Sequence, residues 1–179
     1  MPDQSSRPLD PMEEAVWRDL AKFFLIAPRL LDEDLQRGAD ISLSEYTTLM
    51  SLSEAPDHRL RITELANRVY LSGSRTTRLV DELAASGLIR KTRSPADARG
   101  IDVSLTATGL ARLQAAYPAH LASVRDRVLD HVDRDALPCF GEALTSIARA
   151  LLLRQGWIWE SVPRSRRIDS RMTKVVLAV

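Results

Sequence analysis

Hydroxyl and guanidinium side chains are concentrated in one short stretch of the chain, between residues 72 and 78. The residues in it that we assign to a binding surface are Ser72, Ser74, Arg75, Thr77 and Arg78. Hydroxyl groups and free N–H groups at a helix start bond phosphate oxygens. Arginine also forms paired hydrogen bonds with guanine O6 and N7. The stretch therefore predicts contact with DNA.

The helix predicted over residues 72 to 86 turns this polar side away from the core. At about 100° per residue, four side chains fall within one arc and form the buried face: Thr76, Leu79, Val80 and Leu83. Ser74 and Arg78 lie on the opposite side, at the positive end of the helix. The alternative interpretation is an amphipathic helix with an ordinary solvated surface. The hairpin predicted directly after the helix favours the DNA interpretation.

A second cationic site is predicted in the turn-rich segment 94 to 100, between two short strands. Arg93 and Arg99 would place positive charge at the tip of this hairpin, which is suited to the narrow minor groove. Asp97 would hold the guanidinium of Arg99 in position. The alternative interpretation is a solvated hairpin loop.

The sequence offers little for catalysis, metal binding or a cofactor, and we predict none of them. The three histidines, His58, His120 and His131, have no carboxylate or serine at a spacing typical of an activated nucleophile or a metal site. The single cysteine, Cys139, has no adjacent cationic residue to lower its pKa. We interpret it as a buried structural thiol rather than an oxidant sensor.

Composition favours a helical protein of the cytoplasm. The chain has 179 residues, of which 45% are hydrophobic and 5% aromatic, so that leucine, alanine and valine must build the core. No apolar run reaches the roughly 18 residues of a membrane span, and the polar N-terminus does not resemble a signal peptide. Residues 57 to 100 carry nine basic and five acidic side chains, which suits a surface facing phosphate.

The first half of the chain shows helical periodicity. A long helix is predicted from Met12, with a kink or break at Pro28 and its end at Gly38. A second helix follows Ser44, and a short third one spans residues 63 to 70.

The second half begins with the two strands, at residues 88 to 93 and 101 to 105. Thr106 then caps a helix that we expect to reach Val132, interrupted at Pro118. The last helix carries a seam with coiled-coil spacing: Leu137, Phe140, Leu144, Ile147 and Leu151. Such a seam needs a partner helix.

Together these motifs resemble the MarR family of bacterial transcription regulators. The resemblance is carried by Ile62–Ala66, Leu71–Leu83, Gly87–Ile89, Asp97–Gly100 and Val103–Gly109. The fold class that we predict is mainly α with a small β-hairpin wing, a winged helix-turn-helix flanked by long N- and C-terminal dimerisation helices. The predicted segments are a disordered arm (1–11), an N-terminal dimerisation helix (12–41), the DNA-binding lobe (42–106), C-terminal dimerisation helices (107–155) and a tail of unknown role (156–179).

The resemblance implies a homodimer that binds a pseudopalindromic, double-stranded DNA operator, with recognition helices about one DNA turn apart. It also implies that Arg99 reaches the minor groove. Many members are repressors that a small phenolic or amphipathic molecule releases from DNA. Candidates to line the crevice for such an effector are Trp17, Phe24, Tyr46 and His58, with Arg59 as a further polar anchor.

Two features stay open on the sequence. The tail contains an aromatic cluster at Trp157–Trp159 and a basic cluster at Arg164–Arg167, which could fold back on the dimer or contact phosphate. The alternative to a DNA-binding regulator is a winged helix that serves only as a protein-interaction module. Such a module should have an apolar or acidic outer face on its recognition helix, and Ser74, Thr77 and Arg78 argue against it.

Overall fold

The computed structural model describes residues 7–94 and 97–154, beginning with the long helix α1 (Pro11–Ala39). The carboxylate of Asp10 caps α1 by accepting the N–H groups of Met12 and Glu13, both at 2.9 Å. The helix continues through Pro28, where we expected a kink or a break in the backbone hydrogen-bond ladder: the ladder loses one bond there, but the helix is not interrupted. Pro28 is exposed, so the carbonyl that loses its helical partner can hydrogen-bond water instead.

Helix α1 also continues past Gly38, where we expected it to end, and Asp40 forms its left-handed C-cap with φ 52°. Gly38 has a different role. A Cβ atom added there would lie 3.1 Å from the Cβ of Ala119. The glycine therefore allows α1 to approach a later helix closely.

The second helix, α2 (Leu43–Ser53), begins at Ser42 rather than after the predicted Ser44. Ser42 Oγ accepts the N–H of Glu45 at 3.1 Å, and the Glu45 carboxylate accepts the N–H of Ser42 at 2.8 Å. This reciprocal capping box satisfies two N–H groups at once, and for that reason it sets the start of the helix.

A short strand that the sequence did not reveal, β1 (Arg59–Arg61), precedes α3 (Ile62–Val69). The next helix is α4 (Gly73–Ala85), with Ser72 as its N-cap as predicted. Helices α3 and α4, joined by a three-residue turn, form the helix-turn-helix pair.

The wing is a three-stranded antiparallel sheet in the order β1-β3-β2, where β2 is Ile89–Ser94 and β3 is Asp97–Leu105. Ile89 pairs with Leu105, and Leu60 pairs with Val103. Both strands therefore extend beyond their predicted ends, into the segment 94–100 that we expected to be a loop. The pairing is regular as far as Arg93 with Ile101, after which the register shifts and Ser94 pairs with Asp97.

Two helices complete the described chain. Thr106 caps α5 (Ala107–Arg127), which passes through Pro118 and ends before the predicted Val132. A single 3₁₀ turn, Leu129–His131, intervenes before α6 (Leu137–Arg154). None of the helices in the described ranges is both long enough and apolar enough to cross a membrane.

One core joins the helix-turn-helix to the long helices. Its members come from α1, α2, α3, α4, the sheet and α5, and their side chains are buried. The largest of them are Leu35, Ile41, Tyr46, Leu49, Leu52, Leu65, Val80, Leu83, Val103 and Leu113. The position of α4 on the surface is therefore set by packing against every other part of the lobe.

Candidate nucleic-acid interface

The start of α4 presents a polar, solvent-facing surface. Ser72 Oγ accepts the N–H of Arg75 at 3.4 Å and lies 3.3 Å from Ser74 Oγ. Thr77 donates its hydroxyl hydrogen to the carbonyl of Gly73 at 2.9 Å, which leaves its oxygen lone pairs free. All of these residues and Arg78 are exposed. Hydroxyls, guanidinium groups and the positive helix end thus share one surface.

The opposite face of α4 anchors the helix. Thr76, Val80 and Leu83 are buried and Leu79 is partly buried, as the periodicity predicted. The helix ends in a Schellman motif, in which the N–H of Leu88 bonds the carbonyl of Leu83 at 3.0 Å. Gly87 supplies the required positive φ, at 74°.

A groove of about 290 Å³ runs beside the polar face of α4, towards the first turn of α2. Its lining residues are Ser42, Ser44, Leu71, Arg75, Arg78, Leu79 and Glu82. Arg75 and Arg78 outnumber the one carboxylate of the lining, Glu82, so the groove favours an anion such as a phosphate beside the two guanidinium groups. Sequence reasoning missed the serines of α2, because their approach to α4 depends on how the two helices pack.

One acidic side chain of α4 is paired with the wing. Lys91 Nζ on β2 forms an ion pair with the carboxylate of Asp81, and Asp81 is half-exposed. The two residues are ten positions apart in sequence, and the pair offsets the negative charge of Asp81 on the outer side of α4. Helical phase had placed Asp81 on the outer side of α4, but its cationic partner could not be predicted without the register of β2.

Arg93 is exposed near the end of β2 and pairs with Ile101 across the hairpin. Asp97 and Arg99 belong to β3 by their backbone. Their side chains lie outside the described residues, and so the predicted contact between them stays a prediction. The clusters Trp157–Trp159 and Arg164–Arg167 also lie outside the described residues.

The four predicted pocket residues occupy different surroundings. Trp17 and Phe24 are exposed on α1, at 58% and 55%. Tyr46 belongs to the core, and burial raises its pKa to about 12. His58 is exposed with φ 52°, and its Nδ1 lies 2.9 Å from the carbonyl oxygen of Ser53. The structure therefore does not gather all four side chains around one cavity.

His120 is a polar side chain at this core that sequence reasoning did not select. Its ring lies against Tyr46 with the centroids 4.2 Å apart. Nδ1 is buried and, among the described residues, has no hydrogen-bond partner. Burial lowers the pKa of His120, because a charged imidazolium would lose its hydration. The nitrogen is thus free to bond a polar group at the contact between α2 and α5.

Cys139 is exposed on α6, so the expectation of a buried thiol is wrong. The first turn of α6 packs little against its own chain, since residues 138–140 are all exposed, and this leaves the thiol on the surface. No group of three or more potential metal ligands occurs within residues 7–94 and 97–154.

The paired helices, the exposed polar face of α4 and the antiparallel wing define a winged helix-turn-helix protein. The MarR family model matches residues 39–100. A DNA complex of Sco3205, a MarR family transcriptional regulator from Streptomyces coelicolor, contains a chain 32% identical to this one with a TM-score of 0.77. The alignment covers 83% of this chain and 93% of that one. The protein therefore belongs to the MarR family of transcriptional regulators, which are DNA-binding proteins and not enzymes.

Two further relatives agree with this assignment. AbsC, another MarR family regulator from Streptomyces coelicolor, is 29% identical with a TM-score of 0.74, over 82% of this chain and 98% of that chain. The HTH-type transcriptional repressor YetL of Bacillus subtilis is 34% identical over 98 residues, or 55% of this chain. The matched region spans 59% of the length of YetL.

Proposed function

We propose that this protein is a homodimeric repressor that binds a pseudopalindromic DNA operator and is released by a small amphipathic ligand. The observation that carries the proposal is the exposed hydroxyl and guanidinium face on the first two turns of α4. Ser74, Arg75, Thr77 and Arg78 are all on the surface there, while the opposite face of the helix is buried in the core.

In this proposal the first turns of α4 enter the major groove. Arg78 reads a guanine, and Ser72, Ser74 and Thr77 bond phosphates or base edges. The groove beside α4 adds Ser42 and Ser44 to the surface that follows the DNA backbone. The ion pair between Lys91 and Asp81 supports this arrangement, because it removes an uncompensated negative charge from the helix.

The wing supplies the second contact. Arg93 is exposed on β2, and Arg99 follows in β3, so that positive charge is available on both strands near the hairpin tip. We infer that Arg99 enters the minor groove and that Asp97 orients it.

Apolar surface on the long helices supports the homodimer. Four residues of the predicted seam on α6 are exposed: Phe140, Leu144, Ile147 and Leu151. The first four turns of α1 also expose large apolar side chains: Met12, Val16, Trp17, Phe23 and Phe24. Apolar stripes of this extent on helices are typical of protein interfaces, and a second copy would bury both.

The repressing role and the effector rest on relatives and on one local feature. The similar protein YetL is a repressor. The unpartnered Nδ1 of His120, beside the hydroxyphenyl ring of Tyr46, is suited to hydrogen-bond a phenol or a carboxylic acid. Its place between α2 and α5 lets a bound ligand alter how the DNA-binding lobe sits on the long helices.

Selection of bound sequences from a random DNA library tests the proposal directly. We expect an inverted repeat with half-site centres about one helical turn apart. The Arg78→Ala variant should lose about 1–3 kcal/mol of discrimination at one base pair of each half-site. Arg99→Ala should weaken operator binding with the dimer still folded. Gel-shift titration at several salt concentrations measures both effects.

Arg29→Ala is the matched control for the arginine variants. Arg29 lies on α1 and forms an exposed ion pair with Glu33, so its loss should leave operator affinity unchanged. A library without any enriched repeat, or equal losses of specific and non-specific binding in Arg78→Ala, would contradict the assigned role of α4.

A further inference from the structure

Helices α1 and α5 lie antiparallel and meet at three successive levels. Near the end of α1, Arg112 donates to the carbonyl of Asp40 at 2.5 Å. Two residues earlier on α1, Gly38 approaches Ala119. A further turn back, Asp34 contacts the last turn of α5. The middle level is close packing, and the outer two levels are polar.

The contact at Asp34 joins side chains that are far apart in sequence. Its carboxylate accepts hydrogen bonds from Ser123 Oγ at 2.7 Å and from Arg127 Nε and Nη2 at 2.9 and 3.1 Å. Arg37 adds a fourth bond at 3.1 Å. The Asp34 side chain is 14% exposed. The Arg127 guanidinium, with the Ser123 hydroxyl, holds the pKa of Asp34 well below its usual range.

Two other ion pairs of α1 stay within the helix. Arg29 pairs with Glu33 four residues away, and Lys22 pairs with Asp19 three residues away, with all four side chains exposed. Such pairs add little to stability or geometry. Asp34 differs because Arg127 forms a two-pronged contact with it across 93 residues of sequence, and paired bonds of this kind define an orientation.

The two partners of this contact lie beside junctions between elements of the fold. Arg127 is the last residue of α5, after which the chain turns towards α6 with its exposed apolar seam. Two residues before Asp34, Asp32 accepts the N–H of Leu43, the first residue of α2, at 2.7 Å. One turn of α1 therefore holds both the start of the DNA-binding lobe and the end of α5.

We propose that Asp34 is a positioning residue for DNA recognition: its paired contact with Arg127 sets the distance between the two α4 helices of the dimer. The proposal rests on the homodimer and the inverted repeat proposed above. Without the contact, the exit of α5 towards α6 can tilt relative to α1, while α4 and the wing keep their own packing. The protein would then still prefer the same half-site sequence, but the spacing that it prefers between two half-sites would change.

The test uses the full-length protein and a set of operators. Two copies of the half-site selected by the wild type are placed at separations that differ by single base pairs. Fluorescence anisotropy then gives the affinity of each variant at each separation. We expect Asp34→Asn to bind the wild-type separation about tenfold more weakly, with its optimum shifted or broadened by at least one base pair. Its affinity for an isolated half-site should be unchanged.

Arg127→Lys is the second variant, because it keeps the charge but loses the two-pronged contact, and it should show the same change in spacing. Glu33→Gln is the control: it removes the same charge from the neighbouring position of α1 and should retain the wild-type profile. The proposal is overturned by an unchanged spacing profile in both variants, or by an equal loss of affinity at every spacing. If the wild type selects no repeat, the proposed function fails first, and this inference fails with it.

Discussion

Thr76 and Thr77 are adjacent residues with the same side chain and opposite roles. Thr76 is 1% exposed and donates its hydroxyl hydrogen to the carbonyl of Ser72 at 3.1 Å, inside the lobe. Thr77 makes the same kind of bond to Gly73 but faces solvent. A rotation of about 100° per residue is enough to separate a core residue from an exposed one on the proposed DNA-binding face. The chemistry of a residue type therefore means little without its helical phase.

At this scale His120 gives a prediction about pH. Burial lowers the pKa of His120 in the folded protein, so the unfolded chain binds the proton more tightly. The contribution of the neutral imidazole to stability is complete above the ordinary imidazole pKa of about 6.5. It is lost as the pH falls from there through the lowered pKa of the folded protein. We expect the melting temperature to fall between about pH 7 and pH 5, and His120→Phe to reduce that slope, as measured by circular dichroism.

His131→Gln is the control for the loss of a histidine at an exposed position. The low pKa of Asp34 adds a separate loss of stability, at more acidic pH than that of His120. A His120→Phe variant with the wild-type slope would show that the imidazole is not the responsible group.

At the scale of elements, the junction between the wing and α5 depends on side-chain caps and one glycine. Thr106 Oγ caps α5 by accepting the N–H of Gly109 at 3.0 Å. The Thr106 hydroxyl also lies 2.8 and 2.9 Å from the carbonyls of Gly87 and Leu88. This residue ties the end of β3, the turn after α4 and the start of α5 together. The wing and the recognition helix are therefore held as one unit.

Gly109→Ala should disrupt this junction. A Cβ atom at residue 109 would lie 2.0 Å from the carbonyl oxygen of Leu88 and 2.9 Å from Leu105 Cδ1. The backbone cannot yield without moving α5 away from the sheet. We expect a loss of about 3 kcal/mol in the free energy of unfolding, measured by urea denaturation. Gly73→Ala is the control, because a Cβ there has no neighbour within 4 Å; an equal loss in both variants would contradict the steric argument.

At the scale of the whole molecule, the apolar surface is unevenly distributed. The DNA-binding lobe buries most of its large apolar side chains, with Tyr70 as an exposed exception, whereas α6 and the first half of α1 expose most of theirs. A single chain with this surface would be prone to associate, which is the physical basis for proposing an assembly of two copies. In such a dimer, α1 and α6 would control the distance between the two α4 helices.

Ile147→Glu should therefore shift the protein from dimer to monomer. Ile147 is 42% exposed in the middle of the seam on α6, and a carboxylate there would lose its hydration in a dimer interface. Sedimentation velocity at micromolar concentrations measures the change. Ser146→Glu adds the same charge at an exposed position one residue away and should affect dimerisation less. Equal effects of both variants, or none, would argue against the seam as the interface.

Much of the fold could be predicted because its signals are local. The caps at Ser72 and Thr106, the buried face of α4 and the positive φ of Gly87 each depend on a few neighbouring residues. The predictions were wrong where another interaction outweighed the local preference of a residue. The start of α2 was expected after Ser44, but the capping box of Ser42 with Glu45 sets it two residues earlier. The predicted stop at Gly38 failed because that glycine serves a close contact with α5 instead.

The sequence by itself determined the helix-turn-helix, the wing and the polar face of α4, since helical phase, capping and turn chemistry are properties of short segments. Tertiary structure alone decided which distant side chains meet. Asp34 with Arg127, Asp81 with Lys91, Tyr46 with His120 and the strand β1 with β3 all depend on packing between separate elements. Many distant pairs have compatible chemistry, and the shared core selects the few that come within contact distance.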